Sequence, residues 1–172
     1  MVIKMKKILS LFIFLLLLVG CSLANSPTSK VEDLLTKYQT LDKDIKTGID
    51  EVINEETLTS EQKDRYRNLI EKQYKNLAYQ IKDERIDGDT ATITTEIEVL
   101  DYKKAINEAV SKYQDRNDYT VEEYNNSKLD SLEKTKEKVK YTIDFSLTKI
   151  ENEWKLDDLL EIDRQKIHGL YK

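Results

Sequence analysis

The first half of the chain carries apolar residues every three or four positions, as on one face of an amphipathic helix. One such stripe covers residues 31–53, and a second covers residues 66–77. Thr59 and Gln62 precede the second stripe with the spacing of a capping box, in which each side chain bonds the backbone of the other. We therefore expect one long helix, weakened at Gly48, followed by a second helix.

The apolar spacing then changes from a period of about 3.6 to a period of two, which is typical of strands with one buried face. Residues 77–82 and 91–99 alternate in this way on either side of Asp87-Gly88-Asp89, a sequence that favours a tight hairpin turn. Residues 139–148 and 154–156 form a second alternating pair. The pattern predicts two antiparallel hairpins, each with one face in water.

Helical spacing returns between the two hairpins, over residues 102–138, where Thr120 and Glu123 form another capping-box pattern. The last apolar residues, from Ile162 onward, predict a short closing helix. The fold class is therefore α+β: N-terminal helices pack on a curved antiparallel sheet of about four strands, with a helical insertion between the two hairpins.

The first twenty residues have a composition that sets them apart from this domain. Lys4, Lys6 and Lys7 precede an apolar run over residues 8–19. As a helix this run would be roughly 18 Å long, well short of a hydrocarbon core of about 30 Å. It is therefore typical of a signal peptide rather than of a membrane-spanning helix.

The apolar run ends in Leu18-Val19-Gly20-Cys21, which resembles the lipobox of bacterial prolipoproteins. The resemblance implies that residues 1–20 are removed and that Cys21 becomes the N-terminus with a diacylglyceryl thioether. We expect a covalent acyl anchor in membrane lipid and a location on the extracytoplasmic face of the cell membrane. Residues 21–30 would form a polar tether, and residues 31–172 the domain, beginning with a helix capped at Ser29.

The charge and the chemistry of the remaining chain exclude several classes of function. Loss of the three lysines changes the formal net charge from −5 to −8, which argues against nucleic acid as a partner. Once the single cysteine carries lipid, no thiol remains for disulfides, catalysis or metal binding. Glycines do not cluster into a phosphate-binding loop, and His168 is the single histidine. We therefore expect no cofactor, no metal and no catalytic triad.

The two predicted hairpins resemble those of small NTF2-like (cystatin-like α+β) bacterial lipoproteins. The central hairpin, residues 77–100, carries the turn Ile-Asp-Gly-Asp and the strand Ala-Thr-Ile-Thr, and the closing hairpin carries Glu-Trp-Lys-Leu-Asp at residues 153–157. The resemblance covers residues 31–172 and implies a sheet that curves around a cone. Such a cone either holds a ligand or is filled by side chains.

The inward face of the predicted sheet offers a candidate ligand pocket. Tyr79, Asp83, Tyr141 and Trp154 are its most polar or aromatic members, a lining that suits an apolar ligand with one or two polar groups. Asp83 shares the strand parity of Tyr79 and is therefore the candidate for a buried acid. A packed core remains the alternative for the same residues.

These observations favour a non-enzymatic, membrane-anchored module that binds a protein or a small ligand. One alternative is a small NTF2-like enzyme of the isomerase or dehydratase type, which would use Asp83 with a tyrosine. The other is a structural envelope protein that associates through the insertion at residues 102–138.

Overall fold

The computed structural model describes residues 25–172, which form an α+β domain of six helices and a four-stranded antiparallel sheet. In chain order the elements are α1 (Pro27–Thr40), α2 (Lys43–Glu55), α3 (Ser60–Lys75), β1 (Ala78–Asp87), β2 (Thr90–Leu100), α4 (Tyr102–Ser111), α5 (Val121–Lys134), β3 (Lys138–Ile150), β4 (Glu153–Leu156) and α6 (Glu161–Ile167). The strand order follows the chain order, and the insertion α4–α5 lies between the two hairpins, so the predicted fold class is confirmed.

The N-terminal helical region differs from the prediction at both its start and its middle. Helix α1 begins at Pro27, because Ser26 forms the capping box with Ser29 that was expected three residues later. The expected long helix is two helices, since Leu41 adopts a left-handed backbone with φ 52° and Asp42 caps α2. Gly48 lies within α2 and does not interrupt it.

The sheet has one dry face and one wet face, as the alternating pattern predicts. Strand β2 shows this best, because its odd-numbered residues from Ala91 to Val99 are buried while its even-numbered neighbours are not. On the wet face Glu96 accepts a hydrogen bond from Lys140, and Glu98 accepts one from Lys138. These ion pairs hold the pKa of both carboxyl groups below its usual range, mainly through the lysine hydrogen bonds.

The dry face is covered by α1 and α3, and α2 packs against α3 within the same buried cluster. Phe145, Ile93 and Ile143 are at most 1% exposed, and Val31 and Leu35 of α1 are fully buried on the same cluster. Close packing of this kind fills the space between α1 and the sheet.

The side chain of Gln73 in α3 ties the C-terminal segment to the end of β2 through hydrogen bonds to backbone groups. Gln73 donates to the carbonyl oxygens of Leu100 and His168 and accepts from the Leu100 N–H. Gly169 follows with φ 70°, and the backbone approaches so closely there that a Cβ would overlap the Leu100 carbonyl oxygen. This position therefore requires glycine.

The insertion α4–α5 packs against α3 rather than against the sheet. It contributes to a second buried cluster made of Leu69, Leu100, Tyr102, Ala105, Leu129 and Leu132. The Tyr102 hydroxyl donates to the Leu69 carbonyl oxygen at 3.0 Å. The insertion is thus a separate layer of the domain with its own small core.

Candidate functional site

The predicted lipid attachment at Cys21 lies outside the described residues, but the start of the described chain is firmly placed. Asn25 donates from Nδ2 to the Asn152 carbonyl oxygen at 3.2 Å, and its Oδ1 accepts from the Trp154 N–H at 3.3 Å. Pro27, two residues further along the chain, is buried. Asn25 therefore fixes the entry of the chain to the β3–β4 hairpin.

Asp83 does not occupy the inward position that its sequence parity predicts. The register of β1 against β2 shifts between Ile81, which pairs with Thr95, and Asp83, which pairs with Thr94. This β-bulge adds one residue to β1 and moves every later side chain to the opposite face. The Asp83 side chain is 63% exposed and lies 4.0 Å from Arg85, so it is not a buried acid.

The three aromatic residues of the predicted pocket are on the expected face but are not brought together. Tyr79 and Tyr141 both neighbour Ile97 in the sheet and are partly buried at its edge. Trp154 pairs with Lys149, eight residues further along β3, which corresponds to roughly 27 Å. Trp154 is buried in the main core, and the Lys149 ammonium lies 5.6 Å from the centre of its ring. These residues do not line a common cavity.

One polar atom of the dry face stands out among the described residues. The Thr95 hydroxyl is fully buried and has no hydrogen-bond partner within residues 25–172. It lies opposite Ile81 at the bulge, where the ladder is already irregular. An unpaired hydroxyl in this position costs stability rather than serving chemistry.

An open groove in the insertion has the properties that the sheet lacks. It has a volume of about 580 Å³ and lies between the α2–α3 loop and helices α4 and α5. Its apolar wall comprises Leu58, Tyr66, Ile106, Tyr119, Val121, Tyr124, Leu129 and Leu132. The mouth is unusually apolar for a protein surface, since Val121 is 71% exposed and Tyr119 is 37% exposed.

A cluster of three tyrosines shapes the groove mouth. The ring centres of Tyr113 and Tyr119 are 4.7 Å apart in an edge-to-face arrangement, and Tyr124 lies 5.4 Å from Tyr113. Lys128 places its ammonium 4.7 Å from the Tyr124 ring centre, and Arg116 lies 5.3 Å from that of Tyr113. Such contacts hold the rings in place, and the Tyr113 hydroxyl also donates to the Glu123 carbonyl oxygen at 3.4 Å.

Polar contacts with α3 position the α5 wall of the groove. Arg65 forms ion pairs with Asp130 at 2.6 Å and with Glu133 at 2.8 Å. One turn earlier, Gln62 donates to the Glu122 carbonyl oxygen and to Asn126 Oδ1. These contacts fix α5 along α3, so the groove is preformed rather than dependent on a ligand.

The acidic side of the groove is formed by Glu55 and Glu56, both exposed at the end of α2. Tyr66 lies at the groove base, and burial, together with the negative charge of Glu56, raises the pKa of its hydroxyl. Tyr66 therefore stays neutral at physiological pH and can donate a hydrogen bond to a ligand.

His168 is a packing residue rather than a surface one. Its Nε2 lies 3.1 Å from the Tyr74 hydroxyl, beside a cavity of about 30 Å³ that has room for roughly one water molecule. Burial lowers the pKa of the imidazole; the negative charge of Glu161 opposes this shift, and the positive charge of Arg164 adds to it. The histidine is therefore neutral at pH 7 and joins α6 to α3.

Residues 25–172 contain neither a candidate metal site nor a candidate membrane-spanning helix. Within that range no three His, Cys, Asp or Glu side chains are grouped as a metal site requires. Over the same residues no helix is long and apolar enough to cross a bilayer.

Sequence reasoning missed the groove because its wall combines residues from distant segments. The apolar stripe of α5 is short, and Tyr119 and Val121 lie at a helix start, where a helical stripe gives no signal. The one usable signal is the concentration of tyrosines at residues 113, 119 and 124 in an otherwise charged segment.

The fold and groove together define a small α+β domain with an open apolar site. Neither a scan of protein-family models nor a search of curated proteins finds a match. Among solved structures, the chain is similar to YcdA of Bacillus subtilis strain 168, which is described as a candidate lipoprotein. The TM-score is 0.44 and the identity 17%, over 74% of this chain and 44% of YcdA. The chain thus spans less than half of that protein, and a likeness this low carries no conclusion about function.

Proposed function

We propose that this protein is an extracytoplasmic lipoprotein that acts as a non-enzymatic binding module at the membrane surface. The observation that carries the proposal is the lipobox-like segment ending at Cys21, four residues before the domain begins at Asn25. Two long acyl chains would hold the domain at the membrane, since each buried CH₂ contributes about 0.8 kcal/mol. None of the described helices has the length and apolar character needed to span a bilayer.

The insertion groove supports a binding role for the domain. Its volume of about 580 Å³ falls within the range of small-molecule sites, and its lining is mainly apolar with a few polar groups at the rim. We propose an apolar ligand with one or two polar groups, which tyrosine hydroxyls would orient. The isomerase or dehydratase alternative gains no support from Asp83, which is exposed on the other face of the sheet.

The anchor is tested with Cys21→Ser, with Ser22→Ala as the matched control one residue away. Membranes from cells that express each variant are washed with high salt and extracted with detergent. We expect Cys21→Ser to leave the membrane fraction or to remain unprocessed, and Ser22→Ala to behave as the natural chain. Retention of processed Cys21→Ser on membranes would refute the lipid anchor.

The binding role is tested by titration with the uncharged apolar dye Nile red. Val121→Glu places a charge in the groove mouth, and Leu160→Glu introduces the same charge at a position 66% exposed. Val121→Glu should weaken dye binding at least tenfold, and Leu160→Glu should leave it unchanged. Equal binding by both variants would remove the groove as the site.

The second candidate, association with an envelope protein through the insertion, is favoured by the exposure of Val121 and Tyr119 beyond the groove itself. A photoreactive amino acid at Val121 distinguishes the two functions in intact cells, with position 160 as control. One discrete crosslinked protein, found from position 121 and not from position 160, supports association. Crosslinks that are the same from both positions exclude it.

A further inference from the structure

The described chain has two opposite ends along the sheet, which we call poles. The turn pole consists of the hairpin turns at residues 87–89 and 151–152, which are adjacent because the Lys149 N–H donates to the Asp89 carbonyl oxygen at 2.7 Å. The insertion pole consists of Leu100 and Lys138, where the insertion leaves and rejoins the sheet. The 11 residues of β2 separate the poles by roughly 34 Å.

The chain enters the domain at the turn pole. Asn25 bonds the backbone of Asn152 and Trp154, and α1 then runs along the sheet for roughly 21 Å. At the far end Gln39 donates to the Leu77 carbonyl oxygen at 2.8 Å, next to the start of β1. Val31 and Leu35 are fully buried along the way, so α1 fixes Asn25 with respect to both poles.

The stretch between the proposed lipid site and this fixed point is short. Asn25 follows Cys21 by four residues, which span at most roughly 14 Å even when fully extended. That reach is less than half of the distance between the poles. A lipid on Cys21 therefore keeps the turn pole near the bilayer. The domain cannot stand on its insertion pole, because the turn pole would then lie beyond the reach of this stretch.

The net negative charge of the domain argues against close contact of its whole length with an anionic membrane. The chain from Cys21 onward has a formal net charge of −8, and the turn pole, which carries Asp87, Asp89 and Glu151, is held at the membrane by the short tether and not by charge. An anionic membrane repels such a surface within a Debye length of about 8 Å.

We propose that the domain stands on the membrane with its turn pole toward the lipid headgroups, and that the insertion pole points away. The partner of the turn pole is thus the lipid surface itself, and the insertion is presented to the extracytoplasmic space. This inference rests on the proposed lipid attachment at Cys21, and it adds the orientation that the attachment imposes.

Energy transfer from single dyes to an acceptor lipid tests the orientation on the lipidated full chain. Asp89→Cys marks the turn pole and Lys136→Cys marks the insertion pole; both residues are exposed, and lipidated Cys21 does not react with the dye. The protein is placed in phosphatidylcholine vesicles with a minor fraction of phosphatidylglycerol and a short-range headgroup acceptor. We expect transfer from position 89 to exceed transfer from position 136 several-fold. Equal or reversed transfer would overturn the orientation.

Two further variants test how the linker length and the Asn25 contacts affect energy transfer from position 89. A flexible Gly-Ser insertion after Leu23 should reduce transfer from position 89, and Asn25→Ala should reduce it less. Asp33→Ala, on the exposed side of α1, should have no effect. A response of position 89 that is the same in all three variants contradicts the proposal.

The same preparation separates failure of the orientation from failure of the proposed function. A chain without added lipid mass that does not sediment with vesicles refutes the anchor and, with it, the orientation. A lipidated, vesicle-bound chain with equal transfer from both dyes refutes the orientation alone.

Discussion

The sheet core and the insertion bury apolar residues in contrasting ways, and the contrast separates stability from binding. In the core, α1 and α3 cover the sheet, α2 packs on α3, and side chains such as Phe145 and Ile93 are at most 1% exposed. The insertion has a small core, is held to α3 partly by the ion pairs of Arg65, and leaves Val121 in water. A filled core stabilises the domain but excludes ligands, whereas the thinner layer leaves a groove.

The largest effect should come from removing volume in the filled core. Phe145→Ala is expected to lower the free energy of unfolding by about 4 kcal/mol, because it loses buried area and leaves a cavity. Urea unfolding measures the loss. Val121→Ala, in the exposed groove mouth, should stay within about 0.5 kcal/mol of the natural protein. Similar losses for the two variants would erase the contrast between core and insertion.

The junction between the two regions is tested by one substitution at two glycines. Gly169→Ala should cost about 2 to 3 kcal/mol, because the position has φ 70° and its Cβ would overlap the Leu100 carbonyl oxygen. Gly48→Ala has free space within a helix and should raise stability by about 0.5 to 1 kcal/mol. Thermal unfolding of both variants checks the opposite signs. A Gly169→Ala variant as stable as the natural chain would contradict the close approach of the backbone to Leu100 at this position.

The attachment of the insertion to α3 should depend on Arg65 by a smaller amount. Arg65→Met removes ion pairs to two half-exposed carboxylates and should cost about 1 kcal/mol. Hydrogen exchange should become faster in α5 while the sheet stays protected. Arg67→Met, whose partners are Asp50 and Asp64, should leave α5 unchanged. Uniform loss of protection in both regions would show that the insertion is not a separate layer.

The unpaired hydroxyl of the core predicts a gain in stability. Thr95→Val replaces the buried, unpartnered Oγ1 with a methyl group of similar size and should stabilise the domain by up to about 1 kcal/mol. Thr94→Val is the control, because the Thr94 hydroxyl donates to Asp144 at 2.7 Å on the wet face. The paired denaturation curves check this, and a loss at position 95 would reveal a partner for that hydroxyl.

The smallest effect is a pH dependence carried by His168. Burial lowers the pKa of the folded-state imidazole, so the unfolded chain binds more protons as the pH falls below about 6.5. The contribution of His168 to stability is therefore complete above that pH and declines below it. As the pH falls, the natural protein should lose free energy of unfolding that His168→Phe does not lose. Unfolding of both proteins at several pH values measures this change in their difference. A constant difference would contradict neutral burial.

Much of the fold could be predicted because it follows from local pattern. The period-two alternation of β2 and β3, the Asp87-Gly88-Asp89 turn and the caps at Thr59 and Thr120 each depend on a few neighbouring residues. The break at Leu41 was missed because the apolar stripe continues across it, although Asp42 offered a cap. The resemblance to NTF2-like proteins stays a prediction.

The site was harder to predict, for two physical reasons. A β-bulge at β1 reversed the faces after Ile81, and periodicity carries no mark of an inserted residue, so Asp83 was assigned to the wrong face. Parity also gives the face of the sheet on which a residue lies, but not its position along the strand. Tyr141 and Trp154 were therefore assigned to one pocket although they lie far apart. The proposed anchor at Cys21 lies outside the described residues and rests on the sequence.

The mass of the N-terminal peptide from membrane-extracted protein tests the central claim most directly. We predict that the first residue is Cys21 and that this peptide carries the added mass of a diacylglyceryl group, with or without a further acyl chain. An N-terminal peptide that contains unmodified Cys21, preceded by residues of the apolar run, would contradict the lipid anchor and the orientation derived from it.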